Sequence, residues 1–183
     1  MPNSDYPPLS DAGWPASLDG LKGGFATRLN VYRVMAHRPA LLNAWAPLRD
    51  HLVVQTALGA ELSEVAILRT GHRLGSPYEW AHHVVRSRKI GMSDARIGSI
   101  RGPVEEMAEA DAVIAGAVDA LFDDHRIGEE LVAQVEALVG SDGLFDLIAT
   151  VGFYSVLGGI LNTTGTPIDA DVAAALEADP FEG

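Results

Sequence analysis

The chain of 183 residues contains no cysteine. That single absence excludes disulfides, thiolate nucleophiles, zinc–thiolate centres and iron–sulfur clusters. Any chemistry must come from carboxylates, imidazoles, hydroxyls or a bound cofactor. Positive charge is also scarce. Lys and Arg number 13 against 25 Asp and Glu, a formal net charge of −12. Such a chain repels phosphate backbones and anionic lipid surfaces, so neither nucleic acid nor membrane is an expected partner. No run of about 18 apolar residues is evident, so no membrane-spanning segment is expected. The opening MPNSDYPPLS has no basic stretch and no apolar core. A secretory signal is therefore not expected, and a cytoplasmic location is. Nucleotide motifs are missing too: there is no G-x-x-x-x-G-K-[ST], and NTTGTP reads as a loop. What remains is an ordinary globular composition, 48% hydrophobic and 21% charged. The length suits one domain with a real core.

Along the chain, residues 1–27 read as an N-terminal arm. Pro2, Pro7, Pro8, Pro15 and the Gly23-Gly24 pair interrupt any long element. Trp14, Leu18 and Leu21 give the arm apolar groups to pack on the body or on a neighbouring subunit. Residues 28–183 read as one helical domain. Leu29, Tyr32, Val34 and Met35 follow a helical period, and Pro39 stops it and opens the next helix. Leu42, Trp45, Leu48, Leu52 and Val53 form a second stripe, with Pro47 a candidate kink. A third helix carries Leu62, Val65, Ala66 and Leu68, with Glu61 and Glu64 in its first turn. Ser76 as N-cap, Pro77 in the first turn and Glu79 three residues after Ser76 predict a capping box opening the next helix, closed near Gly91. SDARIGSIR reads as a short helix capped by Ser93, and VEEMAEADAVIAGAVDALFDD as one long helix. GEELVAQVEALVG is amphipathic. SDGLFDLIATVGFYSVLGGILNTTG is apolar nearly all round and is expected to be buried. The fold class is all-α.

The chemistry concentrates in SPYEWAHH, residues 76–83. Residues three and four apart share a helix face, so Glu79 neighbours His82 and His83, and His83 neighbours Arg86. The preceding helix is joined by almost no loop and must pack alongside, which brings Glu64 near that face. A carboxylate–imidazole set in a helix-lined pocket suits proton transfer, because histidine titrates near working pH. The bland reading is an exposed Glu79–His83 pair, with Glu64 serving its own helix end, which contributes only tenths of a kcal/mol. A third reading is metal binding. Glu79-x-x-His82 has the spacing of carboxylate-bridged di-iron bundles, but only one such motif is present, leaving a mononuclear Glu64, Glu79, His82 or His83 set. His37, His51 and His125 read as helix-end, surface or interface residues. His72 shares a helix with Glu64 and could line the same groove. Ser76, Ser93 and Ser141 read as caps.

ELSEVAILRTGHRLGSPYEWAHHVVRSRKIGMSDARI resembles the carboxymuconolactone decarboxylase / alkylhydroperoxidase D superfamily, and LIATVGFYSVLGGILNTTGTPI resembles its closing helix. The likeness spans roughly residues 30–168. The peroxidase branch has a glutamate, eleven residues, then Cys-x-x-Cys-x-x-x-His. Here Glu64 precedes Ser76, Glu79 and His83 at the same spacing, with Ser76 and Glu79 in place of the two cysteines. The resemblance implies an alkylhydroperoxidase D-like helical bundle that forms homo-oligomers, trimers or hexamers. It also places Glu64 and His83 at the positions of a proton relay. Without thiols, peroxidase chemistry is not expected. The motif also departs from that of the lactone decarboxylase branch, so that specific activity does not carry over.

The expectation is a small-molecule acid/base enzyme of lyase, decarboxylase or isomerase type, acting on a carboxylated or lactone-type substrate. It uses no cofactor and no metal. His83, Glu79 and Glu64 are the candidate catalytic residues, with Tyr78, Trp80, His82 and Arg86 (or Arg69) as substrate-binding candidates. Tyr154 is a second aromatic that could serve pocket, core or interface. A non-enzymatic helical binding protein and a metal-dependent enzyme are the alternatives.

Overall fold

The computed structural model describes residues 5–183; Pro2 lies outside them. Every regular element among the described residues is helical. Short 3-10 turns at Asp11–Gly13, Ala16–Leu21 and Phe25–Thr27 lead into α1 (Asn30–Met35) and α2 (Pro39–Val54). Then come α3 (Gly59–Arg73), α4 (Pro77–Lys89), α5 (Asp94–Ser99), a 3-10 turn at Val104–Glu106, α6 (Glu109–Asp123), α7 (Glu129–Thr164) and α8 (Ala170–Ala178).

The arm is not loose. Trp14, Leu18 and Ala26 are buried against α1, α2 and the second half of α7, with Leu21 packed beside them. This first core also holds Tyr32, Trp45, Tyr78 and Tyr154. A second core joins α3, α4 and α5 to α6 and the first half of α7, through Val65, Leu68, Val84, Ile97, Ile114 and Leu147. Helix α3 is central and packs on α4, α6 and α7. Polar and charged groups on the inner faces of α3 and α4 therefore end up buried.

Local rules explain most boundaries. Pro39 and Pro77 open α2 and α4, where a missing N–H costs nothing. Ser76 and Ser93 cap α4 and α5. Helix α2 runs through Pro47 to Val54. Three expectations need correction. The stretch beginning at Val104 is not one helix: Met107 and Ala108 are extended, and α6 starts only at Glu109. Helix α7 merges the two anticipated helices, separated only by Gly140, whose φ of 72° is left-handed. By length and composition α7 is apolar enough to cross a bilayer, against the expectation that no such run exists. Yet 56% of its most apolar window is buried inside the fold, as in a core helix. Helix α8, which the hydrophobic pattern left unread, packs back onto α4.

Candidate active site

Helices α3 and α4 meet so closely that Gly71 faces Glu79. A Cβ built on Gly71 would lie 3.1 Å from the Cβ of Glu79. This approach brings three titratable side chains into contact, each nearly inaccessible to solvent: Glu64, Glu79 and His83. His83 Nδ1 lies 2.6 Å from Oε2 of Glu64, and Arg86 Nε forms an ion pair with Oε1 of the same carboxylate at 2.7 Å. A carboxylate ion-paired to Arg86 can only accept from the imidazole, so Nδ1 carries the proton. The Nε2 lone pair of His83 is then presented to Oε2 of Glu79, 3.6 Å away. Burial pushes the Glu79 carboxyl up to about 8, and the nearby Glu64 charge adds to the effect. Glu79 is thus a neutral acid at pH 7. Its Oε1 is buried and has no hydrogen-bond partner among the described residues. The capping box is only half formed: the Ser76 hydroxyl accepts from Glu79 N, but the Glu79 carboxyl does not return to the Ser76 amide, which donates to Gly71 O.

Glu79 and His83 open into a cavity of about 230 Å³ between α1, α2, α4, α7 and α8. Its walls mix Leu29, Val31, Val53 and Leu157 with Tyr32, Tyr78 and Tyr154. Arg49, Arg86 and Lys89 bring positive charge, and Asp171 lies at its exposed margin. The ring of Tyr154 meets the His83 ring edge-on, centroids 5.2 Å apart. Burial drives the Tyr154 phenol well above its usual range, and Glu79 adds to the shift, so it stays neutral. Glu64 does not line this cavity. It faces a neighbouring hollow beside Arg86 and Ser63 and reaches the cavity through His83.

The other expected residues divide. Arg86 lines the cavity, but its Nε is committed to Glu64. Tyr78 and His82 also line it, yet their polar ends turn to Asp169. The Tyr78 hydroxyl donates to Asp169 Oδ2, and His82 Nε2 lies 2.8 Å from the same oxygen. Asn30 N donates to both Asp169 oxygens, at 3.0 and 3.2 Å. Together they fasten the chain after α7 to α4 and α1. Trp80 needs correction as a substrate contact in this cavity. One residue beyond Glu79, it turns about 100° around α4 into the second core, with Arg101 over its ring at 3.6 Å. Arg69 is likewise occupied, by Asp119 and the carbonyls of Ile100 and Gly102. His72 is exposed, away from Glu64, beside Arg101 and Trp80. His51 pairs with Asp146, and His37 contacts the Pro7 carbonyl. Among the described residues no group of three or more His, Asp or Glu is arranged to hold a metal ion. His82 faces Asp169, and His83 already spends Nδ1 on Glu64.

Sequence reasoning passed over Tyr32, Arg49 and Asp169. Tyr32 shows a helical period and reads as core. Its phenol is pushed up to about 12 by burial, with the Arg49 cation acting the other way. The unusual signal for Arg49 is an arginine within an apolar stripe, one residue after Leu48.

Residues 39–123 match the model of the carboxymuconolactone decarboxylase family. Over that segment, somewhat under half of the chain, the protein is similar to this family. The family segment runs from α2 through α6 and contains Glu64, Glu79 and His83, whereas Tyr32, Tyr154 and Asp169 come from outside it. Two solved structures share the fold over nearly the whole chain. A cysteine-to-alanine variant of the debrominase Bmp8 in complex with 2,3,4-tribromopyrrole superposes with a TM-score of 0.77 at 15% identity, covering 96% of this chain and 97% of that one. The apo debrominase gives 0.73 at 14% identity, with the same coverage of 96% and 97%. Comparison with curated proteins finds no match.

Proposed function

We propose that this protein is a small-molecule enzyme whose reaction is proton transfer by the Glu79–His83 pair, held in place by Glu64. One observation carries the reading: a buried acid and a base of fixed tautomer line one cavity, and one oxygen of the acid is unpartnered among the described residues. Structural ion pairs satisfy their oxygens, whereas a group awaiting a substrate need not.

The reactive form in this reading has a proton on Glu79 and a lone pair on His83 Nε2. His83 removes a proton from a substrate carbon made acidic by an adjacent carbonyl. Glu79 delivers one to another atom of the same conjugated system. Return of the proton from His83 to Glu79 resets the pair, so no proton is gained or lost overall. The product is an isomer. The same Glu79 proton can quench the carbanion left when a carboxylate departs as carbon dioxide, with Glu79 then reprotonated from water, which is the decarboxylase variant. Glu64 fixes the His83 tautomer and stabilises its cation, as the carboxylate of a catalytic triad does. The cavity is small for a ligand site, which points to a compact carboxylated or lactone-type substrate. The Bmp8 structures add that a chain of this fold holds a small ring compound. This chain has no cysteine, so any reaction that needs a thiol lies outside its means.

The non-enzymatic alternative requires an exposed or fully paired Glu79–His83 couple with no cavity beside it. The buried couple, the unpartnered oxygen and the cavity weigh against it. The reading is tested by assaying wild type, His83→Gln and Glu64→Gln on small lactones and unsaturated acids. Wild type should turn over at least one, with His83→Gln slower by about 10²–10⁴-fold. Absence of turnover by wild type, or full activity in His83→Gln, rejects the reading.

A further inference from the structure

Arg49 lies within hydrogen-bond reach of the Tyr32 hydroxyl, yet it is a cation of the cavity with one donor left unmet among the described residues. Its side chain is mostly buried, and its Nε is buried with no hydrogen-bond partner among the described residues. Its ion pair is with Asp50, the next residue and itself exposed. The other two cations differ. Arg86 is bound to Glu64, and Lys89 is exposed at the margin. Arg49 is also held flat. Its guanidinium carbon lies 4.3 Å from the centroid of the Phe25 ring, and Phe25 packs edge-on against Tyr32, centroids 4.8 Å apart. The N-terminal arm thus supplies the shelf on which this guanidinium rests. A planar guanidinium held flat at a cavity wall suits a carboxylate, because the fork offers parallel donors in one plane. Glu79, whose own Oε1 is unmet among the described residues, lines the same cavity. One donor and one reactive carboxyl, both orphaned, call for a ligand with an anionic end and a separate reactive polar end.

We propose that Arg49, seated on Phe25, is the carboxylate-recognition residue of the cavity and selects small monocarboxylates over neutral lactones and amides. This rests on reading the cavity as an active site. The carboxylate docks on Arg49, and the conjugated carbon skeleton extends toward Glu79 and His83. Tyr32, a neutral phenol between the two ends, can donate a second hydrogen bond to the docked oxygen.

The test measures binding rather than turnover, by calorimetric titration of the full chain with crotonate and 2-furoate. Crotonamide and 2(5H)-furanone serve as neutral counterparts. Wild type should bind the two acids at least about tenfold more tightly than the neutral pair, the usual weight of a charge-assisted hydrogen bond. Arg49→Met should abolish that preference, Arg49→Lys should restore part of it, and Phe25→Ala should weaken it. Circular dichroism melts establish that each variant is folded. Equal affinity for acids and neutral compounds in wild type overturns the proposal. So does undetectable binding of both acids, or an unchanged preference in folded Arg49→Met. If Arg49-dependent binding holds while His83→Gln turns over as fast as wild type, the acid/base reading fails and the recognition site stands. If turnover depends on His83 but not on Arg49, the reverse is true.

Discussion

His83 Nε2 lies 3.6 Å from Oε2 of Glu79, one turn away on the same helix, while its Nδ1 is bound to Glu64 on the neighbouring helix. The imidazole therefore bridges two carboxylates of opposite character. One is neutralised by Arg86, and the other is held protonated by burial.

The raised Glu79 carboxyl makes stability depend on pH. Below about 4.5 the group is protonated whether folded or unfolded, and contributes no difference. Between about 4.5 and about 8 the unfolded chain has released the proton and the folded chain has not. Stability therefore falls as pH rises through that window. At pH 7 the cost is on the order of 3 kcal/mol, at about 1.4 kcal/mol per unit. Glu79→Gln should melt higher than wild type at pH 7–8, and the gap should close near pH 4, as read by thermal denaturation across pH.

The same group sets a limit on activity. If protonated Glu79 is the acid, kcat/KM should fall as pH rises through about 8. The groups facing it are Glu64 from α3, His83 and Arg86 from α4, Tyr32 from α1, Tyr154 from α7 and Arg49 from α2. The two tyrosines stay neutral in this range, and the arginines do not titrate. Glu79→Gln should remove the alkaline limb along with most of the rate, as measured in a pH–rate profile.

Asp169 holds the end of the chain. Burial pushes its carboxyl up, but hydrogen bonds from His82, Tyr78 and Asn30 outweigh that and hold it below the usual range. A depressed carboxyl stabilises above its unfolded pKa, and the contribution is lost as pH falls through the folded value. Asp169→Ala leaves the Tyr78 hydroxyl and the Asn30 amide without this partner, at a cost of about 2 kcal/mol. Hydrogen exchange should show faster exchange confined to α8 and the start of α1, with α3 unchanged.

Phe145, Ile148 and Val156 are exposed along α7, Phe145 at 71%, and Leu41 and Leu48 are exposed on α2. Singly exposed apolar residues are ordinary, but a row of them on a core helix suits self-association. We expect a homo-oligomer by light scattering, and a shift toward monomer in Phe145→Lys.

Much of this architecture is legible in the sequence, because it rests on local rules. Pro39, Pro77, Ser76 and Ser93 mark helix starts, and the 3.6-residue period sets Glu79, His83 and Arg86 on one face. Glu64 follows from the short α3–α4 joint. What escaped depends on convergence from distant segments. Tyr32 and Arg49 lie on two other helices and Asp169 lies beyond α7, and no periodicity within one helix tells which residues of another segment it will meet. Trp80 was misjudged because adjacency in sequence is not adjacency on a helix surface. His82 shares a face with Glu79, but Asp169, 87 residues away, captures its ring. Helix α8 is short and alanine-rich, with only Val172 and Leu176 as large apolar side chains, so it shows no stripe.

At residue 71 a hydrogen atom stands where any other amino acid would place carbon, 3.1 Å from Glu79. The gap between the two helices is therefore gauged by a position that takes no part in proton transfer. Alanine there would wedge α4 outward and lengthen the span from His83 to Glu64, detuning the relay while leaving every reacting group in place.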